Sequence, residues 1–535
     1  MSIASTRRRD AFRLACLFLL FLALLASRRR AQLDAPQVWC EEGSMVKAFL
    51  ERGWSSIAEP LPLYLVLVPK LIVRAALAIS VYHYPMIATL LTWLFTAFVA
   101  LVIVRAPTQL AAKVLCAVAA FAVPSNPEVF GIASYTFWWA SLCLFLLALW
   151  DVRRPLPIAR LVLLALCGLS SPAIFIVLPA LWFRAWKYRA RWETVIAVAG
   201  SLVAAVQISF MNPAAKVRSS AWVLLENSIP KFCGRFVSGN LCDASWLLWI
   251  EGGVLVMLVA AYCFVERRRP TAWILGYLWF ASIAAPLVRV NPRLLDPRGG
   301  GPRYFFFAFV LTAWILIQIL MSERTRGLRT LAGIALFVSV VNALPVWSRT
   351  HDDLRWSEHV RSARLFARYD VPIQFDGDQW NAWSISASGE TWNDLLRHDL
   401  TESMERIDAR PTFAYRWVRD EHDAVAQPMM PVNATPARDG AFADGGSVLA
   451  HVGARWAVGP TLVFEMKRGD RLLYRSGESR TPHTMHVRGL EQRFIPRLPV
   501  TCEWRTLEFS NAELPDSFTL EIADDGDGTG EWAAE

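Results

Sequence analysis

The sequence predicts a polytopic α-helical membrane protein of about ten or eleven transmembrane helices, followed by an extracytoplasmic, mostly-β domain at the C-terminus. Three observations predict it. Hydrophobic residues make up 55% of the 535, with 24 Trp and 30 Phe, and nearly every long apolar run falls before position 347. Lys and Arg outnumber Asp and Glu by 34 to 15 up to residue 346 (net +19) and are outnumbered 21 to 31 after it (net −10). The arginines of the first part sit between apolar runs of membrane length, as cytoplasmic charge does in a membrane protein, so the excess does not call for nucleic acid as a partner. A single soluble enzyme is excluded, because the chain also exceeds the roughly 250–300 residues at which one core stops growing.

A bilayer core of about 30 Å needs about 20 apolar residues as a helix, and lone strands cannot cross it with their backbone groups unpaired. The apolar runs are Leu14–Ala26, Met86–Val104, Leu110–Val123, Phe130–Trp150, Ala159–Phe183, Thr194–Phe210, Trp246–Val265, Ala272–Val288, Tyr304–Met321 and Leu328–Val346. The first is flanked by Arg7 to Arg9 and Arg28 to Arg30 and lacks a small-residue cleavage site, so it reads as an uncleaved first helix. The run Ala159–Phe183 is broken at Gly168, Ser170, Ser171 and Pro172, which suits a helix pair joined by a short hinge. Ile57–Val81 carries Pro60, Pro62, Pro69, Lys70 and Arg74 and reads as a re-entrant or interfacial segment, with a tilted span as the alternative.

The basic loops at 151–155, 184–191, 266–270 and 323–329 then share one side, the cytoplasmic one. Residues 27–85, 124–129, 168–172, 211–245, 289–303 and everything after 347 fall outside. Cys16, Cys116, Cys143, Cys167 and Cys263 lie in apolar runs as packing residues, whereas Cys233 and Cys242 flank an exterior loop where a disulfide would survive. The tail divides into a helical or mixed neck, 347–427, with an amphipathic helix over Trp347–Leu365, and a β-sandwich-like domain, 428–535. Strands are expected at 371–375, 461–466, 471–474 and 517–522, with a Pro/Ala/Gly/Asp-rich linker at 428–446. The stretch from Asp524 to Glu531 lacks the spacing of a calcium loop and reads as a solvated acidic turn.

Three exterior clusters carry candidate chemistry. Glu41 and Glu42 follow the first helix; such a pair meets a helix macrodipole favourably, but a partly desolvated carboxylate there can also act as a general base or, with its neighbour, order a divalent cation. The loop 289–303 holds Arg289, Arg293, Arg298 and Arg303 on the side that positive-inside statistics disfavour, which asks for an anionic partner. Arginine forks bind phosphate bidentately and Gly299 to Gly301 admit close backbone approach, so Arg303, Arg298 and Tyr304, helped by Lys70 and Arg74, form a candidate phosphate site; contact with lipid headgroups is the plainer alternative. The third cluster, 124–139, offers Asn126, Glu128, Trp138 and Trp139 for stacking and hydrogen bonding to a sugar, although interfacial Trp is commonplace.

Four segments together resemble the GT-C membrane glycosyltransferases, and more closely a bacterial branch with a periplasmic tail: VWCEEG at 38–43, PLYLVLVPKLI at 62–72, NPEVFGIASYTFWW at 126–139 and GPRYFFF at 301–307. The resemblance spans most of residues 10–385. It implies a GT-C-like fold in a bacterial inner membrane, a polyprenyl-phosphate-linked sugar as donor, and an extracytoplasmic glycan, lipid or protein as acceptor. Glu41 or Glu42 would be the base and Arg303 the phosphate partner. The acidic motif of the superfamily commonly contains Asp, and Glu-Glu here leaves the base open. Two other readings stand beside it: a transporter or flippase of lipid-linked glycans, which needs the basic site but no acid at Glu41, and a membrane-anchored sensory or binding protein, for which ten helices are more than anchoring requires.

Overall fold

The computed structural model describes residues 3–61, 64–211, 221–290, 295–299, 301–351, 354, 356–363, 369–373, 384–401 and, further on, the short stretches 417–419, 450–452, 461–468, 471–476, 483–487, 505–508, 516–524 and 532–534. The chain forms two compact units: residues 1–34, 57–73 and 88–350 make the first, and 35–56, 74–87 and 351–535 the second.

In the first unit seven helices among the described residues are long and apolar enough to cross a membrane: Arg9–Arg28, Tyr84–Arg105, Arg191–Phe210, Ser245–Val265, Pro270–Arg289, Pro302–Met321 and Glu323–Val346, some with a 3-10 turn at one end. This is the pattern of a multi-pass helical membrane protein. Seven is fewer than the ten or eleven expected, and the reason is length. The expected spans at 110–123, 130–150 and 159–183 hold helices of only 9 residues (Lys113–Phe121), 13 (Thr136–Ala148), 12 (Pro157–Gly168) and 15 (Ile174–Tyr188). At 1.5 Å per residue the shortest rises about 14 Å. Such pieces are compatible with a bilayer only where protein surrounds them, and Thr136–Ala148 is buried at every position. The segment 57–81 likewise yields a 13-residue helix, Leu67–Ile79, below spanning length.

Counting the short ones, eleven helices among the described residues run back and forth between two ends. At one end Asp151 N donates to Pro107 O at 2.6 Å, Ala111 N to Gln318 Oε1 at 3.0 Å and Arg184 Nη1 to Ala148 O at 3.0 Å, gathering two of the four loops expected to share a side, 151–155 and 184–191, with the turn at 107–111. At the other, Arg28 Nη2 donates to Ser125 O at 2.8 Å, Asn126 N to Pro297 O at 3.0 Å and Asn240 N to Asn342 Oδ1 at 2.6 Å. Between the ends, Thr136–Ala148 and Phe306–Met321 carry the core, with Trp139 on Phe306 (5.2 Å) and Phe145 on Phe307 (5.1 Å). Apolar on every face, both helices find hydrocarbon-like surroundings in other side chains.

The Cys233–Cys242 bridge is not formed: both thiols are free, and Cys233 is buried in the π-helical turn Ser228–Gly234.

In the second unit the helix Cys40–Arg52 packs Gly43 against Ile373 and Ile385, where a Cβ would come within 2.2 Å of Ile373 Cδ1. Those two residues belong to, or directly follow, the antiparallel strands Tyr369–Pro372 and Ser384–Ala387. Trp356, opening the helix Trp356–Ala363, donates Nε1 to Val81 O at 2.9 Å. Further strands occupy Thr461–Lys467, Arg471–Ser476 and Ser517–Asp524, the first and last paired antiparallel. The 428–446 linker and the 525–531 turn lie outside the described residues, as does much of the segment that would assemble a sandwich.

Candidate functional site

The first unit brings two of the sequence clusters together. Glu128 sits in the 3-10 turn Pro127–Val129 and Arg303 in the turn Pro302–Phe305, 175 positions apart in sequence. The Arg303 guanidinium pairs with Glu128 Oε1 through Nη1, and its backbone N–H donates to Glu128 Oε2 at 3.1 Å. The same Nη1 reaches Tyr135 Oη at 3.3 Å, and the guanidinium lies over the Tyr135 and Tyr304 rings at 5.5 and 5.1 Å. Residues assigned separately to phosphate and sugar thus form one charged contact. Gly301, at φ +68, begins this turn in a left-handed conformation that glycine adopts without strain.

Two arginines at the exit of the first helix lie near this contact. Arg28 ends the first helix, Arg29 follows it, and both are fully buried. Arg28 spends Nη2 on the carbonyls of Val123 and Ser125 and stacks between Phe130 (4.6 Å) and Trp347 (4.8 Å), while its Nε and Nη1 find no hydrogen-bond acceptor among the described residues. Arg29 lies against Gly131, whose φ of +73 and crowding by Trp93 Nε1 leave no room for a Cβ. Burial lowers the Arg29 pKa, the neighbouring Arg349 lowers it further, and Glu128 and Tyr135 act the other way. Arg349 in turn donates to Asn126 Oδ1 at 3.5 Å. Arg29 thus feels both Arg349 and Glu128, the partner of Arg303, and Arg28 adjoins Arg29. Adjacent guanidinium groups held out of water favour an incoming anion.

Polar groups nearby divide into spent and available. Trp139 is fully buried and gives its indole N–H to Val129 O at 3.0 Å, which makes it a core residue rather than a sugar platform. Asn126 holds loops together, donating Nδ2 to Arg298 O at 3.4 Å besides accepting from Arg349. Arg298 pairs with Asp243 at 2.6 Å, and that bond raises its pKa. Lys70 is buried with its ammonium donating to the Glu59 carbonyl, a backbone role. Trp138 differs. It packs on Phe307 (4.6 Å) and edge-on to Tyr304 (6.0 Å), and neither its buried indole N–H nor the buried Ser134 hydroxyl has a partner among the described residues. Unsatisfied buried donors beside a guanidinium cluster are what polar oxygens of a ligand would meet.

The carboxylate pair and Arg74 belong to the second unit. Glu42 is buried and accepts a hydrogen bond from Tyr84 Oη at 2.6 Å; Glu41 is half-buried in the same first helical turn. The residue before them, Cys40, has φ +21, a conformation costly for a side chain that bears a Cβ. Arg74 lies over the Trp54 ring at 4.7 Å and near Phe49 at 5.9 Å. Arg293 and Gly300 of the basic loop lie outside the described residues. Among the described residues no group of three His, Cys, Asp or Glu side chains is placed to share a metal ion.

Compared with known proteins, the chain matches no protein-family model and no curated sequence.

Proposed function

We propose that the protein is a GT-C-like membrane glycosyltransferase that moves a sugar from a polyprenyl-phosphate carrier to an extracytoplasmic glycan, lipid or protein acceptor. The observation that supports this reading is the Arg303–Glu128 pair beside the buried Arg28 and Arg29 at one end of the helical unit. A lipid phosphate is an anion delivered at the membrane surface, and arginine forks are the side chains best shaped to hold it. Arg303 holds the leaving phosphate, with Glu128 fixing the guanidinium plane, and Trp138 offers its indole to the sugar. As the acceptor oxygen attacks the anomeric carbon a general base takes its proton, a role proposed for Glu41 or Glu42; the carbon–phosphate-oxygen bond breaks and the electron pair leaves with the phosphate, inverting the centre.

The end rich in Arg153, Arg154, Arg267, Arg268 and Arg326 is assigned to the cytoplasm, which puts the Arg303 end and the tail outside, in a bacterial inner membrane. The tail, 347–535, is read as a helical neck and a mostly-β glycan-binding domain.

The test is purified protein in lipid with a radiolabelled polyprenyl-phosphate sugar and candidate acceptors. Arg303→Ala should lower transfer by roughly 10²–10³-fold and Glu41→Gln by about 10²–10⁴-fold, with Glu128→Gln intermediate. Transfer indifferent to all three changes contradicts the assignment. Carrier binding that depends on Arg303 without any transfer marks instead a flippase of lipid-linked glycans, for which the cluster would serve equally.

A further inference from the structure

At the other end of the helical unit the helices Ile174–Tyr188 and Pro270–Arg289 border a groove of about 550 Å³. We propose that this groove binds the phosphodiester headgroup of an anionic phospholipid. Three cations line it: Lys187, Arg267 and Arg268. All are exposed, and none is paired with a carboxylate among the described residues. The reason lies next door: Glu266, the acid closest in sequence, is buried and already taken by Arg269 at 3.2 Å, Arg324 at 3.7 Å and the Ser322 hydroxyl. The Arg267 guanidinium lies over the Phe264 ring at 4.6 Å.

The rest of the lining suits a lipid rather than a free anion. Trp186 and Trp273 stand 68% and 51% exposed at the ends of their helices, the level at which indoles meet headgroups. Trp273 is oriented by its bond from Nε1 to Arg267 O at 3.0 Å. Beyond the cations the groove continues over Phe183 and Ile274 along the apolar helix faces, where acyl chains would lie. A compact phosphate would use the cations and leave the aromatic and aliphatic floor uncovered; a diacyl lipid covers both. The inference uses no residue of the Arg303–Glu128 site and stands independently of the glycosyl-transfer reading.

The experiment is native mass spectrometry of the full chain in nonionic detergent, titrated separately with palmitoyl-oleoyl phosphatidylglycerol, the matching phosphatidylcholine, and glycerol phosphate. Phosphatidylglycerol should bind in preference to both. The triple change Lys187→Gln, Arg267→Gln, Arg268→Gln should weaken it by roughly fivefold per cation, about a hundredfold together, while the equal charge loss Arg153→Gln, Arg154→Gln, Arg326→Gln leaves it within about twofold. Equal loss in the two triples, no preference over phosphatidylcholine, or equal affinity for glycerol phosphate overturns the proposal. Should the first triple fail to accumulate, the single variants carry the same comparison at about fivefold each.

Discussion

Glu193 is a residue whose role lies wholly in its surroundings. It is buried in the first turn of the helix Arg191–Phe210 and accepts from Arg160 at 2.7 and 3.1 Å and from Arg184 at 2.8 Å, both arginines being buried as well. Removing one member of such a network leaves the others charged and uncompensated, which costs far more than an exposed pair would. Glu193→Gln is therefore expected to destabilise the protein by about 3–5 kcal/mol, read as a large fall in the thermal midpoint in detergent, with Glu193→Asp milder. A shift of only a degree or two would assign the triad no structural role. None of this was legible beforehand: Arg184 falls in the basic loop 184–191 and Arg160 in the apolar run Ala159–Phe183, and spacing says nothing about which charges on three different helices meet. Arg303, by contrast, was legible from its position directly before an apolar helix, whereas its partner Glu128, 175 positions away, was assigned to a different ligand group.

At the scale of elements, the segment Ile79–Tyr82 is held by groups that follow the helix Gly389–Arg397. Asp399 accepts from Ser80 Oγ at 2.7 Å, from Tyr82 N at 3.0 Å and from Thr401 Oγ1 at 2.7 Å, and Leu400 N donates to Ile79 O at 2.9 Å. Burial alone would raise the Asp399 pKa; the hydrogen bonds from Thr401, Ser80 and Tyr82 outweigh it and hold the carboxyl below its ordinary value. A depressed folded-state pKa means that the stabilisation is complete above the unfolded value, about 3.9, and fades as pH falls through the folded one. Acidification below about pH 4 should accordingly raise proteolysis of the 79–84 and 388–401 segments in the wild type. Asp399→Asn should already show elevated cleavage at neutral pH and little further pH dependence; an unchanged acid response in the variant would remove Asp399 from the account. Nothing in the sequence joins the two segments, since a Ser and an Asp 319 positions apart carry no periodic signal.

For the whole molecule, the back-and-forth path of the helices makes a topological prediction. Ser348 lies at the Arg303 end and Arg326 at the Arg268 end, and both are exposed. Single cysteines at these positions, in a background freed of other accessible thiols, should label from opposite sides of an intact membrane, Ser348→Cys from outside and Arg326→Cys only after permeabilisation. Labelling from the same side would break the alternation; both reversed would invert the orientation and place the arginine cluster in the cytoplasm.

Composition and hydropathy by themselves determined the class and the path: where the chain turns, which turns gather at one end, and that the first 346 residues differ in kind from the rest. These follow from summed apolar length and net charge, properties that need no partner. Only the tertiary structure decided which apolar runs are long helices and which are short ones, and that Thr136–Ala148 is enclosed by protein, because enclosure depends on neighbours from distant sequence. It also decided which charges pair. Arg28 and Arg29 turned inward from the end of the first helix, Trp139 went into the core, and Glu128 became the counter-charge of Arg303, since the cost of burying a charge is settled by what other segments bring to the same few ångströms.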